Sequence, residues 1–189
     1  MLTFYHGSPN LFGAFELSNA GDGTGIKFGY GVYLTESEAS AVHYSQPRKC
    51  ALMPTHYLYT VEIPELTSDN HLISALPVAD VIVQATEQKL GLKVPAKYVE
   101  KGKEFRKWLG CRLTGKKGAG FEEEKAAAAF LDSIGVIANV WPQAQTKPDG
   151  LRNCAIFNPT RVRIIKREQI EIEDVKGKYV IVDNSRKEV

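Results

Sequence analysis

The chain is poor in cysteine. Its three, Cys50, Cys111 and Cys154, are odd in number and scattered, which excludes a self-contained disulfide framework and a zinc site built from paired cysteines. A reducing compartment is the expectation. No run of about eighteen apolar residues occurs, and Met1-Leu2-Thr3 leads into a patterned segment with neither a basic nor a long apolar leader, so a cytoplasmic protein without membrane contact is expected. Neither sign of charge dominates: 24 Lys and Arg against 22 Asp and Glu leave +2, too little to imply nucleic acid by itself. The glycine run Gly21-Asp22-Gly23-Thr24-Gly25 ends in no Gly-Lys-Ser or Gly-Lys-Thr and opens no helix, which removes both standard phosphate cradles. His43, His56 and His71 lack ligand spacing, so no metal is expected, and neither a serine nucleophile elbow nor a Cys/His arrangement is evident. Repeats and low-complexity tracts are absent.

What the chain has is alternation in short runs. At 189 residues it suits one domain with a sizeable core, and residues 1–183 are read as that domain. Leu2 to His6 and Tyr57 to Ile63 read as strands, broken by Gly7-Ser8-Pro9-Asn10 and by Pro64. Val32 to Leu34 follows a Gly29-Tyr30-Gly31 turn as a third. Thr35 with Glu38 has capping-box spacing, predicting a helix over 35–45. Periodicity then predicts helices over 78–90 and 98–109, and a third opened by Glu122-Glu123-Glu124 and stopped at Gly135. Residues 137–141, 153–157 and 161–165 read as strands, 169–172 with 178–182 as a charged hairpin, and 184–189 as a frayed tail. Between Lys93 and Lys117 nine Lys or Arg face only Glu100 and Glu104. Such a segment is ordinarily a solvated helix face, and its alternative use is to hold an acidic partner. The polar stretch 143–150 is a loop suited to reading a target. The class expected is α+β: antiparallel sheets packed face to face, with a cleft between them and a helical basic insert at about 76–120.

Three motifs in order carry a resemblance. Tyr5-His6-Gly7-Ser8 lies on the first strand; Gly29-x-Gly31-x-Tyr33 is followed eleven residues on by Tyr44; Asn153-Cys154-Ala155-Ile156-Phe157-Asn158-Pro159 leads to Val162-Arg163-Ile164. Singly, each is ordinary core or surface. Together they resemble the ADP-ribosyltransferases of the diphtheria-toxin and poly(ADP-ribose) polymerase type, in the form found in bacterial and phage mono-ADP-ribosyltransferases, over about residues 2–166. The resemblance implies a fold of two packed antiparallel sheets with helices around an NAD cleft. It implies NAD as substrate, no metal, and His6, Tyr33 and Asn153 as the catalytic positions. His6 would bond a ribose hydroxyl, the Gly7 backbone would pair with the nicotinamide carboxamide, Ser8 would add a contact, and Tyr33 and Tyr44 would sandwich the nicotinamide ring beside Ala41.

The sequence departs from the family at two places. Ala41 stands where a serine often bonds the carboxamide, a loss of about 0.5 to 1.5 kcal/mol. Asn153 stands where the family has Glu, and losing one preorganised electrostatic contact costs roughly 3 to 4 kcal/mol in the barrier. Chain elongation is therefore not expected, while single transfer to a macromolecule, protein or nucleic acid, is. Asp149, four residues earlier, is a candidate replacement carboxylate. Two alternatives stand beside transfer: a catalytically inactive NAD-binding or partner-binding module, and an NAD glycohydrolase toxin with water as acceptor. A delivered toxin would act in the cytoplasm of its target cell.

Overall fold

A computed structural model describes residues 1–18, 26–46, 55–143 and 150–189. In chain order the elements are β1 (Leu2–Ser8), β2 (Val32–Thr35), α1 (Glu38–Tyr44), β3 (His56–Ile63), β4 (His71–Ile73), α2 (Asp80–Leu90), α3 (Ala96–Val99), α4 (Gly102–Thr114), α5 (Phe121–Ser133), β5 (Ala138–Pro142), β6 (Arg152–Ile156), β7 (Arg163–Ile170), β8 (Ile172–Val175), β9 (Lys178–Ile181) and β10 (Lys187–Glu188). No described helix is long and apolar enough to cross a membrane.

The protein is mixed α+β, as the strand and helix periods imply, but the sheets are arranged differently from the expectation. Instead of two antiparallel sheets, eight strands hydrogen-bond in one sheet of order β10-β7-β3-β1-β2-β6-β5-β4, with β8 and β9 forming a separate ribbon. β4 pairs with β5 in parallel, so the large sheet is mixed. A single pair, Tyr5 with Thr35, joins β1 to β2, whereas β1 pairs with β3 along its whole length. The sheet thus has a seam between β1 and β2.

Period-2 alternation sorts the strands into two faces. On one face Phe4, Val61, Ile63, Val32, Leu34, Cys154, Ile156 and Val140 pack as the larger core. On the other, registers align Tyr33 with Ala155 and Asn139, and Thr35 with Asn153 and Trp141. A second core fills the space between α2, α4, α5 and the β4 end of the sheet around Leu72, Phe105, Leu109, Leu131 and Phe157. α1 covers Gly7 and Leu58 through Ala41 and Val42.

Three local expectations are corrected. The cap of α1 is Ser37, whose hydroxyl accepts the Ser40 N–H at 3.2 Å, because Thr35 belongs to β2 and its hydroxyl instead accepts the Ser37 N–H. The strand expected over 161–165 runs to Ile170, bulging where Thr60 pairs with Lys166 and Val61 with Ile164. The tail does not fray: Lys187 and Glu188 pair with β7, and Arg186 reaches Glu38 and Glu168. The carboxylates outweigh the missing apolar signal there. The polar loop and Asp149 lie outside the described residues apart from Gln143 and Gly150.

Candidate functional site

The seam opens into a cavity of about 680 Å³, a size that suits a ligand of cofactor dimensions. His6, Gly7, Ser8, Tyr33, Ala41, Tyr44 and Asn153 all line it, so the seven residues to which the resemblance gives a role meet in one place. They come from four elements. Tyr33 and Asn153 project from the same sheet face on β2 and β6, two residues out of register with each other. His6, an even position of β1, projects with Phe4 to the opposite face and reaches the cavity through the gap between β1 and β2.

His6 also spans that gap. Its Nδ1–H donates to the Tyr33 carbonyl at 2.9 Å; because a carbonyl only accepts, the neutral ring carries its proton on Nδ1 and leaves the Nε2 lone pair as an acceptor. Burial lowers the imidazole pKa below its ordinary 6.5, only partly offset by this bond, which keeps the ring neutral. Phe12, Phe15 and Tyr59 pack around it with ring centroids 5.1 to 6.1 Å away. The Tyr59 hydroxyl, accepting from Phe12 N–H and donating to the Asn10 carbonyl, holds the loop after β1 over the site. Ser8 is engaged in the same turn, its hydroxyl accepting the Asn10 N–H at 3.0 Å.

Gly7 is required for a reason the sequence did not carry. A Cβ there would lie 1.7 Å from the Ala41 carbonyl oxygen and 2.8 Å from the Ser45 nitrogen, so its bare α-carbon seats α1 against the sheet. That close seat is what brings Ala41, which is buried, and Tyr44, 56% exposed at the mouth, to the cavity.

Tyr33 is held at both ends. Its hydroxyl accepts the Phe28 N–H at 3.1 Å and donates to the Gly29 carbonyl at 2.9 Å, and burial pushes its pKa upward. Asn139, fully buried, donates to the Phe28 carbonyl at 2.8 Å. The Phe28 ring stacks on Trp141 at 4.1 Å with planes 7° apart, and Trp141 meets Tyr33 edge to face. Lys27 Nζ stands 5.5 Å from the Phe28 ring centre. Lys27, Phe28 and Trp141 therefore form a wall of the cavity that the motifs did not name. The available signal was aromatic content beside the Gly29-Tyr30-Gly31 turn and at the end of the 137–141 strand.

Asn153 lines the cavity opposite Trp141, its register partner, and its side chain forms no hydrogen bond with another described residue. Its neighbour Arg152 is committed to Glu36, with bonds of 3.0 Å from Nε to both carboxylate oxygens. Among the described lining residues Lys27 is the one carrying charge at neutral pH, and none is a carboxylate. No three His, Cys, Asp or Glu cluster as a metal site among the described residues. Cys154 points into the larger core, where burial pushes its thiol pKa well up, so it is no nucleophile.

The basic segment is also less free than its charge count implies. Arg106 is fully buried against Glu124 of α5, and Lys93 bonds Glu87. Comparison of the chain with protein-family models, with curated proteins and with solved structures gave no match.

Proposed function

We propose that this protein is a mono-ADP-ribosyltransferase: it binds NAD in the seam cavity, cleaves the bond between nicotinamide and ribose, and passes ADP-ribose to a macromolecular acceptor. The observation that carries the reading is the convergence of His6, Gly7, Ser8, Tyr33, Ala41, Tyr44 and Asn153 from separate elements on one cavity. Motifs that matched by accident would have no reason to meet.

The chemistry asks little proton transfer of the protein. The C–N bond breaks with its electron pair going to the pyridinium nitrogen, nicotinamide leaves neutral, and an oxocarbenium-like ribose is attacked by the acceptor, which loses its proton. Position and electrostatics do the rest. His6 Nε2, an acceptor by its tautomer, accepts a hydrogen bond from a ribose hydroxyl; Tyr33, immobilised through its hydroxyl, presents a fixed ring to nicotinamide; Tyr44 closes from the mouth; and the Asn153 amide oxygen accepts a hydrogen bond from a hydroxyl of the ribose being transferred.

One observation favours a second reading. With no carboxylate among the described lining residues, the developing positive charge has no fixed counter-charge, which suits a module that binds NAD or a partner without turning it over. Nicotinamide release from NAD by the purified protein, with and without cell lysate, decides between them. Release that rises with lysate, labels a macromolecule and is lost in His6→Ala supports transfer. Release with free ADP-ribose and no label identifies a hydrolase instead. No release by the native chain, restored in Asn153→Glu, identifies the binding module. Neither release nor NAD binding refutes the reading altogether.

A further inference from the structure

Arg106 is the largest fully buried side chain among the described residues, on the helix that carries the basic segment. Its guanidinium pairs with Glu124 of α5, itself 3% exposed. Burying such a pair is expensive, and an apolar pair of similar volume is often at least as stable. Something other than stability has to account for it.

Its position offers the account. Gly29 has φ of +113°, a conformation that favours glycine, and a Cβ built there would lie 3.3 Å from Arg106 Nε and 3.4 Å from Cδ and Cζ. The end of the Arg106 side chain thus packs beside the α-carbon of the Gly29 turn. That same turn accepts the Tyr33 hydroxyl proton at the Gly29 carbonyl, offers the Phe28 N–H to it, and carries the Phe28 ring that stacks on Trp141. Asn139 holds the turn from the sheet side, and Arg106 lies beside it on the helix side.

We infer that the buried Arg106–Glu124 pair is a positioning device for the aromatic wall of the cavity, fixing the Gly29 turn and through it Phe28 and Tyr33, so that α4 and α5 are a working part of the site. The planar fork supplies a flat, stiff support that a flexible ammonium lacks. The pair touches no ligand and acts through the turn.

The test reads the turn directly. The chain has two tryptophans, so Trp108→Phe leaves Trp141 as the sole indole, stacked on Phe28. In that background, acrylamide quenching of Trp141 is compared for the parent, Arg106→Lys and the double variant Arg106→Met/Glu124→Met, with circular dichroism and melting to verify folding. The double variant strands neither charge and is expected to keep its fold while Trp141 quenching rises at least twofold; Arg106→Lys is expected to lie between it and the parent. A folded double variant with parental quenching overturns the inference. If that variant does not fold, Arg106→Lys decides alone: raised quenching supports the inference and parental quenching overturns it. Titration with nicotinamide adds an arm that rests on the proposed function, with affinity expected to fall about tenfold in the double variant. A parent that binds no nicotinamide counts against that function, while the quenching comparison still decides the inference about the turn.

Discussion

Replacing Gly7 by alanine tests how the site is assembled. The added Cβ would sit 1.7 Å from the Ala41 carbonyl oxygen, and ordinary contact begins near 3.4 Å, so α1 must back away from β1 by about 1.7 Å. The atoms in the way are backbone on both sides, with the Ala41 carbonyl carbon at 2.7 Å and the Ser45 nitrogen at 2.8 Å, so no side chain can swing aside. α1 is seven residues long and contacts Leu58 and Ile170 beneath it, which a retreat of that size would uncover. Overpacking of this kind costs typically 1 to 3 kcal/mol, and with backbone on both sides the upper end, about 3 kcal/mol, is expected. For a chain of this length that corresponds to a melting temperature lower by about 6 to 12 °C. Gly13 is the control, since a Cβ there meets nothing within 4 Å and its backbone is unstrained. Differential scanning calorimetry of Gly7→Ala beside Gly13→Ala gives the answer. A Gly7→Ala protein melting within about 2 °C of the control would refute the argument that α1 is seated on a bare α-carbon.

Tyr33→Phe keeps the ring and deletes the hydroxyl that holds the Phe28 N–H and the Gly29 carbonyl; a loss of about 1 to 3 kcal/mol is expected in chemical denaturation, and an unchanged midpoint would contradict the pinning. Stability should also fall as pH drops below about 6.5, because His6 and His71 have pKa values lowered by burial, so the unfolded chain takes up their protons first. Melts between pH 7.5 and pH 5 check this, and a flat profile would show that neither ring is held neutral. Cys154, sealed in the core with its thiol pKa raised, should resist alkylation in the native protein and react only on unfolding, whereas the half-buried Cys111 should react from the start. Peptide mass spectrometry distinguishes the two sites.

The strands were legible where alternation was clean. Phe4, Val61, Ile63 and Ile156 all reach the larger core as their period requires. The site was legible as an ordered set of motifs, because His6, Tyr33 and Asn153 lie on strands that the fold brings side by side. The sheet arrangement was not, since whether β1 and β2 share one rung or none depends on backbone geometry that no side-chain pattern encodes. β10 was hidden for a related reason: Lys187 and Glu188 have no apolar signal and are held by backbone pairing with Arg186 alongside. Phe28 and Trp141 meet only through sheet register, and the Asn139–Phe28 bond joins residues 111 apart. Arg106 misled because a cation in a basic run ordinarily signals surface, and its carboxylate partner stands on another helix.

The seam also bears on the order in which the protein acquires its parts. One half of the sheet pairs β1 with β3 and β3 with β7, while the other pairs β2 with β6 and β6 with β5, and both draw strands from the two ends of the chain. Each half closes on its own hydrogen bonds, and only the Tyr5–Thr35 rung and the His6–Tyr33 bond stitch β1 to β2 between them. Closing loops of that length is the slow, entropy-limited part of folding. The cavity is lined from both halves, by β1 on one side and by β2 and β6 on the other, so on refolding the burial of Trp141 beside it is expected not to precede recovery of sheet signal.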